Sequence, residues 1–149
     1  MLLAGSCSKQ LAAASKTFDG PFSLQLTTSG GFAGVGRGNI SVSGGKFGCS
    51  QTSQQNVRKG VEGTLNARQQ QPIIDALAQV NPKDWTKPGL DVAAPDAFGY
   101  KLELQMGSYD APVFTVQWYD NTKDQLPADL KRLSNALLQT MESACSLKP

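Results

Sequence analysis

Residues 98–119 read FGYKLELQMGSYDAPVFTVQWY. Phe98, Tyr100, Leu102, Leu104 and Met106 alternate with Gly99, Lys101, Glu103 and Gln105. Side chains two apart on a strand share a face, so this run predicts a strand with one apolar side. Residues 107–112 hold Gly, Ser, Asp and Pro, the residues of a turn. Phe114, Val116 and Trp118 then alternate with Thr115, Gln117 and Tyr119. The two runs predict an antiparallel hairpin with one face on a core and the other on water.

Outward from this hairpin, toward the C-terminus, Asp124 and Pro127 start a helix. Leu130, Leu133, Leu137, Met141 and Ala144 form its apolar stripe. On the N-terminal side, residues 82–97 carry prolines at 82, 88 and 95, which predicts an irregular connection pinned to the core by Trp85. Before it, Ile73, Ala76, Leu77 and Val80 recur at helical spacing, with Asn66 opening the helix and Asn81-Pro82 ending it. Pro72 requires either a start near Gln71, with the proline in the first turn, or a kink.

Further upstream, Phe22, Leu24 and Leu26 alternate with polar residues, and Ile40 and Val42 do the same. These predict two strands. Gly44-Gly45 makes a turn after which residues 46–49 continue pairing, and Val57, Val61 and Leu65 suggest a weak third strand. The order is β-β-(β)-α-β-β-α, without βαβ alternation or an internal repeat. The predicted fold class is α+β: an antiparallel sheet of four to five strands with two helices packed on one face.

The 149 residues suit one domain, assigned to 18–149, with 1–17 as a signal remnant and tether. Composition is ordinary for a globular protein, at 40% hydrophobic and 17% charged. Net charge is +2, too small for a nucleic-acid footprint. The charge is uneven: seven Lys/Arg and two acids up to Arg68, then seven Lys/Arg and ten acids from Gln69. A basic front half would steer toward an acidic partner, and an unevenly charged solvated surface accounts for it equally well.

The chain has no histidine. That removes imidazole bases, Ser-His and Cys-His nucleophile pairs, and His-containing zinc sites. Asp91 with Asp96, and Asp120 with Asp124, lack the ligand density of a calcium loop and read as turn and cap acids. The expectation is a binding protein rather than an enzyme, with no catalytic residue, metal or cofactor.

Residues 1–7 read MLLAGSC. A Leu-rich stretch, small residues and then Cys resemble the end of a bacterial lipoprotein signal, which would make Cys7 the lipidation site. Leu3 lies one place further from Cys7 than that pattern usually has it. Residues 8–16 read as a polar tether. No stretch is long enough for a transmembrane helix, so any membrane contact would run through an anchor at Cys7. Three cysteines then leave Cys49 and Cys145 as one disulfide, worth about 4 kcal/mol by closing nearly a hundred residues. The alternative is three free thiols in a reducing compartment. The expected location is exported: periplasmic, or anchored at the outer membrane.

Residues 29–38, SGGFAGVGRG, hold five glycines. The segment leads into a strand, not into a helix whose N-terminus would hold a phosphate, so a nucleotide loop does not fit. Phe32 and Val35 sit among residues without side chains. Either they meet a partner's pocket or Phe32 folds back on the sheet edge.

Ser29-Gly-Gly-Phe-Ala-Gly-Val with Arg37 resembles the early signature of the emfourin family, bacterial protein inhibitors of thermolysin-like metallopeptidases. Residues 95–102, PDAFGYKL, are similar to the family's Asp-x-Phe-x-Tyr-x-Leu strand, and Leu126-Pro127-x-x-Leu130 to the opening of its last helix. The resemblance covers residues 22–141. The cysteine pair, the Gly/Gln-rich segment 44–66 and the N-terminus depart from the family's compact cytosolic members. The resemblance implies a stoichiometric inhibitor that occludes the cleft of a secreted zinc peptidase. It places the contact on Gly30, Gly31, Phe32, Ala33, Gly34, Val35 and Arg37. Such enzymes favour a bulky apolar side chain after the cleaved bond, which Phe32 or Val35 would supply, with Arg37 at the rim. The alternative is a lipoprotein that binds another protein, as an immunity protein or envelope assembly factor.

Overall fold

A computed structural model describes residues 18–30, 38–52 and 58–145. Its strands are β1 (Phe22–Gly30), β2 (Asn39–Ser43), β3 (Lys46–Thr52), β4 (Arg58–Thr64), β5 (Phe98–Met106) and β6 (Val113–Tyr119). Two helices, α1 (Ala67–Leu77) and α2 (Ala128–Ala144), follow β4 and β6, and short 3-10 turns span Pro82–Asp84 and Asp120–Gln125. The N-terminal segment 1–17, with Cys7, lies outside the described residues.

The six strands form one sheet in the order β4-β3-β2-β1-β5-β6, with every neighbouring pair antiparallel. The α+β class holds, but the expected four to five strands become six. Residues 46–52 form a strand of their own, and the weak third strand becomes β4. β4 was hard to read because it is an edge strand, RKGVEGT, with Gly60 and Gly63 and with Val61 40% exposed. An edge strand without a buried face has no need of alternation.

β1 and β5 form the spine, paired from Phe22↔Met106 to Gly30↔Phe98. Their inward residues Leu24, Leu26, Leu102 and Leu104 are fully buried. They join Ile40 and Val42 of β2, Val116 and Trp118 of β6, and the stripes Ile73, Ala76, Leu77 and Leu130, Leu133, Leu137 of the helices in one core. Each buried leucine contributes roughly 1.5–3 kcal/mol. The opposite sheet face shows Ser23, Gln25, Ser41, Ser43, Thr115 and Gln117 to water. Both helices therefore cover the same face, and they pack against each other.

α1 starts where Asn66 caps it. The Asn66 side chain accepts from the Gln69 amide at 2.9 Å, and Gln69 returns the bond to the Asn66 amide at 3.0 Å, a capping box. Pro72 sits inside the helix, beyond its first turn, and the helix starts at Ala67 rather than near Gln71. It is exposed, as is Arg68, whose carbonyl it leaves without the usual amide; that gap lies on the solvent side.

The connection after α1 is fastened by side chains. The Trp85 indole N–H donates to Asp129 Oδ2 at 2.9 Å, and the Asn81 amide donates to the same oxygen at 2.8 Å. Thr122 Oγ1 donates to the Leu90 carbonyl at 2.7 Å, while Asn121 donates to the Val92 carbonyl and accepts from the Ala94 amide. Trp85 pins this segment to the core as expected, 2% exposed.

Candidate functional site

Residues 98–100 of the second motif adjoin Ser29 and Gly30 of the first through strand pairing, and Leu126 of the third through a shared cavity wall. β1 ends at Gly30, and β2 begins at Asn39. The base of this hairpin is held by Thr28, whose amide donates to Asn39 Oδ1 at 3.0 Å and whose hydroxyl donates to the Gly38 carbonyl at 2.5 Å. Gly30 has φ +79, and a Cβ on it would lie 2.7 Å from the Ala97 carbonyl oxygen. Both conditions restrict the position to glycine. Gly31, Phe32, Ala33, Gly34, Val35 and Arg37 lie outside the described residues.

The second motif lies beside the first. Gly30 pairs with Phe98, Ser29 with Gly99 and Thr28 with Tyr100. A Cβ on Gly99 would meet Ser29 Oγ at 2.9 Å and the Tyr119 ring at 3.0 Å. The glycine lets Tyr119 of β6 lie close over the sheet. On the core side, Tyr100 stacks on Trp118, ring centroids 5.4 Å apart and planes 10° from parallel. The Tyr100 hydroxyl donates to Asp120 Oδ1 at 2.8 Å.

The third motif closes the group. Leu126 is buried just before α2 and lines a cavity of about 390 Å³ together with Tyr100 and Trp118. Asp120, Lys123, Asp124, Lys131 and Asn135 form much of the remaining wall. A second depression, about 650 Å³, lies on the water-facing side of the sheet over Gln25, Asn39, Ser41, Gly48, Ser50, Gly60 and Glu62.

Cys49 and Cys145 are brought to disulfide distance, with Cα atoms 6.0 Å apart. Cys49 belongs to β3, and Cys145 caps the end of α2. A bridge between them joins the last helix to the third strand. Both residues are buried.

The acids read as turn and cap residues do lie in such places. Asp96 has φ +58 within a turn closed by the Ala97 amide on the Ala94 carbonyl at 3.2 Å, and Asp120 opens a 3-10 turn. Among the described residues no group of three or more His, Cys, Asp or Glu side chains is placed to hold a metal ion. No described helix is long and apolar enough to cross a membrane. Sequence reasoning missed the roles of Asp129 and of the Tyr100–Trp118 stack. The signal for the stack was present: both residues fall on the apolar side of the same predicted hairpin.

No protein-family model matches the chain, and no curated protein matches it.

Proposed function

We propose that the chain is an emfourin-like protein inhibitor that occludes the active-site cleft of a thermolysin-like zinc metallopeptidase, using the segment between Gly30 and Gly38. The observation that supports this reading is that the described part of the first motif, Ser29-Gly30, and Leu126 of the third both adjoin the second. Ser29-Gly30 is in register with Phe98-Gly99, and Leu126 shares a cavity wall with Tyr100. A rigid base on the two central strands suits a short contact segment, because preorganisation limits the entropy lost on binding. Phe32 or Val35 would fill the enzyme's pocket, and Arg37 would meet its rim.

The chain's own chemistry narrows the mode of inhibition. It has no histidine, a Cys49–Cys145 bridge leaves neither sulfur free, and a lipid anchor at Cys7 would occupy the third. Inhibition works by covering the cleft, or through a carboxylate or backbone carbonyl near the zinc, not through a soft ligand. The chain acts as a binding protein, not as an enzyme.

A competition experiment tests the site of contact. The full chain is mixed with a thermolysin-like peptidase and co-elution is measured with and without a small inhibitor filling the zinc cleft. A complex that the small inhibitor displaces is expected. Co-elution that survives a filled cleft would assign the contact elsewhere.

The cysteine pair favours a second reading of the setting. Buried cysteines at disulfide distance suit an oxidising compartment, and hence an exported lipoprotein anchored at Cys7. Its partner would then be an exported toxin or an envelope component if no peptidase binds.

A further inference from the structure

The cavity between β5, β6 and α2 carries donors that the fold does not use. Trp118 lines it and is 3% exposed. Among the described residues its indole N–H has no hydrogen-bond partner, whereas the Trp85 indole is bonded to Asp129. Buried N–H groups without an acceptor are uncommon, and a bound water, ion or ligand usually supplies the missing oxygen. Lys123 and Lys131 line the same cavity, and so does Asp124. Among the described residues none of the three takes part in an ion pair within 4.0 Å. Asp120, by contrast, already accepts from Tyr100.

The wall thus offers the buried Trp118 indole, the half-buried Lys131, and Lys123 and Asp124 at the exposed rim, with Leu126 and Leu138 as apolar lining. A simple anion would use the lysines and leave Asp124 opposing it. A simple cation would leave the lysines and the indole unsatisfied. We propose that the cavity binds a small zwitterion of the amino-acid type. Its carboxylate takes hydrogen bonds from Lys123, Lys131 and the Trp118 indole, and its ammonium group faces Asp124. The volume of about 390 Å³ admits a free amino acid or a dipeptide, which share this chemistry.

Two-dimensional NMR of the ¹⁵N-labelled full chain tests this directly, because the two indole signals are separate reporters. Trp118→Phe identifies which signal belongs to which ring. L-leucine, leucyl-glycine and acetate are titrated in turn, up to about 10 mM. The expected result is a saturable shift of the Trp118 indole with leucine or leucyl-glycine, while the Trp85 indole stays in place. The tighter of the two names the source of the ligand. Acetate binds about tenfold more weakly, and Lys131→Gln, at a half-buried position, weakens leucine about tenfold. Asp124→Asn weakens leucine and leaves acetate unchanged. A Trp118 signal that does not move with any probe overturns the proposal, and so does acetate binding as tightly as leucine.

Discussion

Ser29 of β1 stands directly across from Gly99 of β5, and its hydroxyl lies 2.9 Å from the place where a side chain on Gly99 would begin. The residue that begins the glycine-rich segment is thus seated against the second motif of the chain. The same closeness recurs one pair further on, where Gly30 faces Phe98 and crowds the Ala97 carbonyl.

Gly30→Ala is the simplest test of that seat. The new methyl group would have to displace backbone, and φ +79 is unfavourable for alanine. The expected loss is about 1–3 kcal/mol of stability, measured by urea denaturation, with weaker peptidase inhibition in the same variant. Unchanged stability would mean that the strand end adjusts freely.

Asp129 holds the connection between α1 and β5 through two donors, the Trp85 indole and the Asn81 amide. Asp129→Ala leaves both without their acceptor. A loss of about 2 kcal/mol is expected, together with a shifted Trp85 indole signal. Asp129→Asn retains a side-chain oxygen and recovers most of the stability. Equal losses in the two variants would show that the oxygen is not what matters.

Joining Cys49 to Cys145 closes a loop with a sequence separation of 96 residues. Reduction, or the double change Cys49→Ala with Cys145→Ala, lowers stability by about 4 kcal/mol. Denaturation curves with and without reductant measure this. Thiol counting on the denatured, unreduced chain gives an independent reading, and two free thiols besides Cys7 would contradict the bridge.

Asp110 lies at the tip of the β5–β6 hairpin, where the Ser108 hydroxyl donates to its carboxylate. That bond, then the backbone amide of Asp110 itself, holds the Asp110 carboxyl below the usual carboxylate range. A depressed value means that the stabilisation is present above the unfolded pKa and lost as pH falls through the folded one. Carboxyl NMR titration is expected to give a lower midpoint for Asp110 in the parent chain than in Ser108→Ala. Equal midpoints would remove the serine from the account.

The β5–β6 hairpin is legible because one face packs on the core, buried at its centre and half-buried at Phe98, Met106 and Phe114, which forces alternation on the sequence. Asn66 was legible as a helix start because capping is local. β4 was nearly silent for the opposite reason: with Gly60, Gly63 and a half-exposed Val61 at a sheet edge, nothing about its burial constrains its pattern. The place of Pro72 is not legible in the sequence, because the exposure that tolerates it is a tertiary fact. At the candidate site, composition marked Gly30 as part of a loop. Its real constraint, the Ala97 carbonyl, comes from a strand pairing across almost 70 residues of chain, which local pattern cannot reveal. Asp129 shows the same limit, since its partners lie on another element.

The proposed role of the segment between Gly30 and Gly38 is to block a peptidase cleft. It is tested most directly by titrating the purified full chain into a thermolysin-like metallopeptidase and following substrate hydrolysis, with Phe32→Ala in parallel. Loss of activity at one equivalent of inhibitor is expected, with an inhibition constant at least about tenfold weaker for Phe32→Ala. Full peptidase activity in the presence of micromolar chain would contradict this role, and inhibition unchanged by Phe32→Ala would remove Phe32 from the contact.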